Sequence, residues 1–127
     1  MRLLLDTHSF LWFINRDSAL SRRARSLIEG PDDKLVSLAS VWEMSIKSSM
    51  AKLTLKEPLE TFIPEQLRVN GFPLLNIDLL HVLRTHSLPY HHRDPFDRLL
   101  AAQCLVEDIP IVSRDDLFDQ YGVQRLW

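Results

Sequence analysis

The chain has 127 residues, a formal net charge of −2, 46% hydrophobic residues and 25% charged residues. This length suits one domain over residues 1–127 and is too short for two, and the composition excludes a long disordered tail. The near-neutral charge excludes a global basic field for nucleic acid, so any polyanion has to meet a local patch.

Cysteine usage and hydropathy bear on the cellular compartment. Cys104 is the only cysteine, which excludes an intramolecular disulfide and a zinc site built from several cysteines. The N-terminus lacks the features of a signal peptide, and no apolar run approaches the ~20 residues that span a bilayer. We therefore expect a cytoplasmic protein with no membrane partner, in which Cys104 packs within a helix.

The first predicted strand covers residues 3–5 and leads directly to Asp6. Ligands of open α/β sheets bind at the carboxyl ends of the strands, so Asp6 is a candidate site residue. The alternative is that Asp6 only caps the helix that follows, because an aspartate is a favoured N-cap.

The next predicted helix, residues 9–14, is apolar on nearly every side. Such a helix has to be covered on both faces, which one sheet cannot do. We therefore expect part of it to contact another chain, with complete burial inside the domain as the alternative. The candidate interface residues are Phe10, Leu11, Trp12 and Phe13. An amphipathic helix over residues 18–28 follows.

Glu43 lies in a helix predicted over residues 39–50, after a strand over residues 34–38. Two structural roles compete with a functional one for this glutamate. Ser40 and Glu43 match a capping box, and Glu43 with Lys47 forms a stabilising i, i+4 pair.

In the middle of the chain, predicted extended segments again alternate with predicted helices. A short extended segment over residues 53–55 precedes a helix over residues 58–69, in which Pro64 predicts a break or kink. A third strand over residues 74–77 leads to Asp78, the N-cap of a helix that Pro89 ends.

The stretch from His92 to Arg98 predicts the start of another helix, with Asp94 as N-cap and Pro95 at the first helical position. Asp97 then falls in the first turn, where the helix dipole and free N–H groups favour an ionised carboxylate. Such a sheltered carboxylate can bind a metal. The alternative is that Asp97 only complements the dipole.

A fourth strand over residues 111–113 ends near Asp115, which repeats the pattern of Asp6. Asp115 has its own alternative as the cap of a small helix over residues 116–120, and residues 123–126 predict a final edge strand. Helices that alternate with short apolar strands indicate an α/β fold with a parallel sheet covered on both faces.

Four of these acids, Asp6, Glu43, Asp97 and Asp115, are expected to meet near the carboxyl edge of that sheet. Converging carboxylates raise one another's pKa unless cations are present. An oxygen-rich set suits Mg²⁺ or Mn²⁺, and such a site suits phosphoester hydrolysis because a divalent metal activates water and neutralises phosphate charge. The adjacent His91 and His92 would have difficulty serving one ion together.

Further charged residues flank the four acids. We assign Asp94 mainly to capping and Asp116 to the helix start or to support of the site through water. Arg93, Arg98 and Arg114 are candidates for steering phosphates, with simple charge compensation as the alternative for each.

Four motifs now stand in a fixed order: Leu-Leu-Asp6-Thr-His, Ser-Val-Trp-Glu43-Met-Ser-Ile-Lys47, His92-Arg-Asp-Pro-Phe-Asp97-Arg98-Leu-Leu-Ala-Ala-Gln103 and Val-Ser-Arg-Asp115. In this order they resemble the PIN domain, specifically the toxins of the VapC family, over nearly the whole chain. The resemblance implies a PIN-like α/β domain with a central, mainly parallel sheet of four to five short strands flanked by helices. It implies Asp6, Glu43, Asp97 and Asp115 as the catalytic, metal-binding acids.

The same resemblance implies a function. We expect a Mg²⁺- or Mn²⁺-dependent endoribonuclease, the toxin of a type II toxin-antitoxin pair, that hydrolyses RNA phosphodiester bonds by metal-activated water. Homodimerisation and inhibition by a cognate VapB-type antitoxin are implied as well. The alternatives are a catalytically silent PIN-like dimeric binding module and a nuclease or phosphatase that acts on a non-RNA substrate.

Overall fold

Five short strands form one sheet in the computed structural model, which describes residues 1–127. The strands are β1 (Arg2–Leu5), β2 (Asp33–Ser37), β3 (Leu74–Leu75), β4 (Ile111–Val112) and β5 (Arg125–Leu126). Their order is β3-β2-β1-β4-β5, and every neighbouring pair is parallel. The predicted α/β class, with a mainly parallel sheet of four to five strands, is confirmed.

Six α-helices and one 3₁₀ helix connect the strands. They are α1 (Thr7–Ile14), α2 (Arg22–Glu29), α3 (Leu38–Ser49), α4 (Leu59–Asn70), α5 (Leu79–His86), α6 (Pro95–Glu107) and the 3₁₀ helix (Asp116–Tyr121). None of these helices has the length and apolar character needed to cross a bilayer.

The two faces of the sheet bury separate apolar clusters. Leu3 and Leu5 of β1 face a cluster that includes residues of α1, α2 and α4, whereas Leu4 faces α6 and the 3₁₀ helix. This alternation follows from the period of two in a strand. Cys104 is buried in the second cluster, which confirms it as a helix packing residue.

A buried polar link fixes α6 to the sheet. Ser37, the last residue of β2, donates from its hydroxyl to Gln103 Oε1 at 2.6 Å, and Gln103 Nε2 donates to the Asn76 carbonyl at 3.2 Å. Because Ser37 and Gln103 are fully buried, their polar atoms need these partners. The link joins the C-terminal half of α6 to the carboxyl end of β2.

Several helix boundaries differ from the sequence predictions. Helix α2 begins at Arg22 rather than at residue 18, because Ser21 accepts the Ala24 N–H as N-cap while Asp17 holds a preceding turn. Helix α3 is capped by Ser37, which accepts the Ala39 N–H, so the predicted capping box between Ser40 and Glu43 is wrong.

The structure bears on two predictions for the middle of the chain: the extended segment is not a strand of the sheet, and α4 has no break at Pro64. Residues 53–55 form no strand, and Leu53 and Leu55 instead pack against the first apolar cluster. Pro64 does not end α4, which continues to Asn70. A proline removes only the bond to the carbonyl four residues earlier, here that of the exposed Glu60, which water can satisfy.

Candidate active site

Asp6 and Asp115 follow neighbouring strands at the carboxyl edge. Leu5 pairs with Val112, so the residues after β1 and β4 lie side by side. Ser113 donates to Asp6 Oδ2 at 2.6 Å, while Asp6 Oδ1 accepts the Ser9 N–H at 2.8 Å and caps α1. Burial raises the pKa of the Asp6 carboxyl, and the Ser113 and Ser9 hydrogen bonds oppose that rise.

Glu43 approaches from the second turn of α3 and is also buried. The Thr7 hydroxyl donates to Glu43 Oε1 at 2.7 Å, and Lys47 Nζ donates to Oε2 at 2.6 Å. The predicted i, i+4 pair is therefore confirmed. Thr7 directly follows Asp6, so its hydroxyl joins Glu43 to the end of β1.

Asp97 lies in the first turn of α6, whose N-cap Asp94 accepts the Phe96 N–H at 2.8 Å. Burial, together with the charges of Asp94, Asp6 and Glu43, raises the pKa of Asp97 to about 7 against the opposing effect of His92. These contributions require the acids to lie within electrostatic range of one another. The structure therefore brings Asp6, Glu43 and Asp97 together, as the sequence predicted.

His92 connects Asp97 to Asp115. Its Nε2 lies 3.0 Å from Asp97 Oδ2 and 2.9 Å from Asp115 Oδ2, while Nδ1 accepts the Asp94 N–H at 3.1 Å. The imidazole therefore carries its proton on Nε2, between the two carboxylates. Sequence analysis missed this role because the adjacent His91 obscured it, although the short spacing to Asp94 and Asp97 was a usable signal.

Asp115 has two roles that the sequence left as alternatives. Its Oδ1 accepts the Leu117 N–H at 3.0 Å and caps the 3₁₀ helix, while Oδ2 faces His92. Asp116 is exposed at the first position of that helix. Asp6, Asp115 and Asp116 line one cavity of about 370 Å³, so this side of the acidic site is open to solvent.

The sequence and the fold can now be compared with known proteins. A comparison with protein families matches residues 3–124 to the PIN domain. The chain belongs to the PIN domain family. PIN domains are generally nucleases. A comparison with curated proteins returns no significant match.

Solved structures with the same PIN fold include chains from toxin-antitoxin complexes. One is VapBC2 from Rickettsia felis bound to a promoter DNA fragment, with a TM-score of 0.74 and 14% identity over 99% of this chain and 98% of that one. Another is FitAcB from Neisseria gonorrhoeae, with a TM-score of 0.70 and 18% identity over 98% and 96%. VapBC-1 from nontypeable Haemophilus influenzae has a TM-score of 0.66 and 14% identity over 99% and 97%.

The donor set of this PIN domain fits a hard divalent ion. All four acids offer carboxylate oxygens, which are the ligands that Mg²⁺ and Mn²⁺ prefer. Among the lysines and arginines, only Lys47 forms an ion pair with one of them. The raised pKa values of Asp6 and Asp97 follow from burial with too little compensating charge.

A second group of possible ligands, Asp78, His81 and Glu107, is explained by structure alone. His81 is fully buried, its Nδ1 accepts the Asp78 N–H, and its Nε2 lies 3.1 Å from Glu107 Oε2. Both ring nitrogens are thus engaged, and the histidine joins the start of α5 to the end of α6.

Arg98 does not face the acidic site, so the prediction that it steers phosphates is wrong. The side chain is buried, and its guanidinium donates to the carbonyls of Thr85, Leu88 and Pro89. These groups lie at the C-terminal end of α5 and just beyond it, where carbonyls lack helical partners. Arg93 and Arg114 are exposed and form no ion pair, so their predicted role remains open.

The four apolar residues from Phe10 to Phe13 in α1 differ in burial and in the groups that they contact. Phe10 is fully buried, so its prediction as an interface residue is wrong. Phe13 packs against Phe72 with Arg25 above its ring, whereas Trp12 turns toward the cavity that contains Asp6. Leu11, Trp12 and Phe13 remain partly exposed, and their contact with a partner stays a prediction.

Proposed function

We propose that this protein is a metal-dependent endoribonuclease and the toxin of a type II toxin-antitoxin pair of the VapC kind. The observation that carries the proposal is the acidic cluster at one edge of the sheet, where His92 Nε2 lies 3.0 Å from Asp97 and 2.9 Å from Asp115 and where Asp6 follows the strand next to that of Asp115. The position of these acids at the carboxyl ends of parallel strands supports the proposal, because α/β proteins bind ligands there. The similarity to chains from VapBC and FitAcB complexes supports the toxin assignment.

The proposed cofactor is Mg²⁺ or Mn²⁺, held by Asp6, Asp97 and Asp115, with Glu43 completing the site or orienting water. A divalent ion there would activate water and offset the negative charge of the phosphodiester. Because water rather than the RNA 2′-hydroxyl is the nucleophile, we expect products with 5′-phosphate and 3′-hydroxyl ends.

The chain's own residues orient the four carboxylates for this role. Thr7 and Lys47 each donate to one oxygen of Glu43, which fixes the direction of that carboxylate. Ser113 and the Ser9 N–H each donate to one oxygen of Asp6 and fix its direction in the same way. The Nε2 proton of His92 holds Asp97 and Asp115 close to each other although they belong to different elements.

The proposed partners are RNA, a cognate VapB-type antitoxin and a second copy of the chain. The surface available for homodimerisation lies on α5, where Leu79, Leu80, Val82 and Leu83 are between 49% and 71% exposed. Contiguous apolar surface of this kind marks an interaction site. The proposed compartment is the cytoplasm, which suits the single reduced cysteine.

Cleavage of a mixed pool of structured RNAs tests the proposed activity. The purified protein should cut RNA with Mg²⁺ or Mn²⁺, and chelator should abolish the cutting. Asp97→Asn should lower the rate by at least a hundredfold because it removes a charged group from the site. The matched control is Asp108→Asn, since Asp108 is an exposed aspartate at the opposite end of α6.

The product ends and a substrate panel separate the competing functions. Products with 2′,3′-cyclic phosphate would refute attack by water. Cleavage confined to single-stranded DNA or to a small phosphomonoester would favour a non-RNA substrate, and no cleavage of any substrate would favour a silent binding module.

A further inference from the structure

Two aromatic rings of α1 form a stack beside the acidic site. His8 and Trp12 are one helical turn apart, with ring centroids separated by 5.4 Å and planes inclined by 27°. His8 is exposed and makes no hydrogen bond, whereas Trp12 is half-buried and packs edge-on against Trp127 with centroids 6.0 Å apart. Trp127 therefore anchors one ring of the stack, while the other ring faces solvent.

The His8–Trp12 stack separates two cavities. The first, of about 370 Å³, contains Asp6, Asp115 and Arg114. The second, of about 360 Å³, is lined by Thr7, Lys47, Lys52 and Asp17 among others. Both cavities are lined by His8 and Trp12, so the stack is a ridge between the cavity that contains Asp6 and a second cavity that contains Lys52.

Cations lie on both sides of this ridge. Arg114 in the first cavity and Lys52 in the second are exposed and form no ion pair. Lys47 is bonded to Glu43 but keeps a partly exposed side chain. Free cations at these positions offset the repulsion that the carboxylates exert on phosphates.

We propose that the His8–Trp12 ridge is a base-stacking platform for single-stranded RNA, with Arg114 and Lys52 contacting phosphates on its two sides. The inference rests on the proposed endoribonuclease function and adds which residues outside the acidic site hold the bases and phosphates of the RNA. Aromatic faces bind bases only when these are unpaired, and stacking combined with backbone cations is a general mode of single-strand binding. The acidic site then acts on a segment held in an unpaired conformation.

The test measures binding in chelator, where no metal-dependent cleavage occurs. The probe is a fluorescein-labelled ten-nucleotide single-stranded RNA, compared with a ribose-phosphate strand of equal length that carries no bases. The wild-type protein should bind the complete RNA about tenfold or more tightly than the strand without bases. His8→Ala and Trp12→Leu should lose this difference, and Trp12→Phe should restore most of it.

The phosphate contact is tested separately with a pair of matched lysines. Lys52→Ala should weaken binding of both strands equally and reduce the salt dependence by the equivalent of about one phosphate contact. Lys56→Ala is the control, because Lys56 is equally exposed but lies outside both cavities.

The outcomes distinguish this inference from the proposed function. If the wild-type protein cleaves RNA with Mg²⁺ but His8→Ala and Trp12→Leu match it in affinity and in KM, the platform is refuted and the nuclease stands. Failure of the wild-type protein to bind or cleave RNA would refute both. Because His8 is exposed, His8→Ala remains informative if Trp12→Leu does not fold.

Discussion

The four acids of the site differ most in how many hydrogen bonds they accept. Asp6, Glu43 and Asp115 have both carboxylate oxygens bonded, whereas Asp97 contacts only the Nε2 of His92. Hydrogen bonds to a carboxylate favour its charged form, and the Ser113 and Ser9 bonds oppose the rise that burial causes in the pKa of Asp6. For Asp97, burial and the charges of Asp94, Asp6 and Glu43 raise the pKa to about 7, against the charge of His92.

The free energy of unfolding should depend on pH because Asp97 titrates in the folded protein near pH 7. The folded-state pKa of Asp97 is about 7 against an ordinary value of 3.8, so between these values the folded protein binds more protons than the unfolded chain. The Asp97 contribution to metal-free stability is therefore fully present below about pH 4 and is lost as the pH rises to about 7 and beyond. Urea denaturation in chelator at several pH values measures this loss.

The matched variants isolate the contribution of Asp97. In Asp97→Asn the free energy of unfolding should fall less between pH 5 and pH 8 than in the wild-type protein, because the asparagine does not ionise. Asp108→Asn should retain the wild-type slope. Identical slopes in all three proteins would contradict the crowded-site interpretation.

At the scale of elements, two of the four site acids are also N-caps of the helices that follow them. Asp6 caps α1, Asp115 caps the 3₁₀ helix, and Asp94, beside Asp97, caps α6. The capping alternatives raised from the sequence are thus correct for Asp6 and Asp115, and they do not exclude a functional role. One oxygen of each carboxylate serves the helix, and the other faces the site.

Arg98 donates hydrogen bonds to carbonyls at the C-terminal end of α5 and just beyond it, so its replacement should lower the free energy of unfolding. Arg98→Lys cannot reach several carbonyls at once, so we expect a loss of about 2 kcal/mol in the free energy of unfolding. Chemical denaturation measures the loss, with Arg93→Lys as an exposed control that should change it by less than about 0.5 kcal/mol. A stable Arg98→Lys variant with impaired RNA binding would restore the phosphate-steering prediction.

At the scale of the whole molecule, the apolar surface is distributed unevenly over the fold. Helices α1, α2 and α4 bury residues against one face of the sheet, while α5 packs along α6 and buries only His81. The outer side of α5 therefore keeps its leucines exposed, with Trp42 and Tyr90 nearby around a cavity of about 500 Å³. A second copy of the chain is the partner proposed for this side.

A charge placed on α5 should separate the proposed dimer. Leu80→Lys should convert the protein to a monomer because a buried unpaired ammonium group opposes association. Val69→Lys, at an equally exposed apolar position on α4, should leave the dimer intact. Size-exclusion chromatography with light scattering distinguishes the two, and a monomeric wild-type protein would refute the dimer.

Metal should stabilise the whole fold if the four acids bind it. At a hundredfold excess over its dissociation constant, Mg²⁺ or Mn²⁺ should add about 2.7 kcal/mol, which raises the melting temperature by roughly 10 °C in a chain of this size. Asp97→Asn should lose most of this rise. A wild-type melting temperature that is indifferent to both ions would count against the site.

Local patterns made much of the fold and the acidic site predictable. The strand before Asp6 and the Asp94-Pro95 helix start are found as predicted, because strand burial and helix capping depend on residues close together in the chain. The exact first residues of two helices were harder to predict, because several nearby residues can act as N-cap. Ser21 caps α2 and Ser37 caps α3, whereas the sequence predicted that these helices start at residues 18 and 39. Each serine is an acceptable cap in isolation, and the surrounding packing selects one.

The sequence by itself determined the class of fold, and it supplied the prediction that Asp6, Glu43, Asp97 and Asp115 form the site. Only the tertiary structure decided that His92 joins Asp97 to Asp115, that Ser113 bonds Asp6, and that Arg98 turns away from the site. The physical reason is sequence separation. Asp6 and Ser113 are 107 residues apart, and contacts of that kind exist only after the sheet has brought β1 and β4 together.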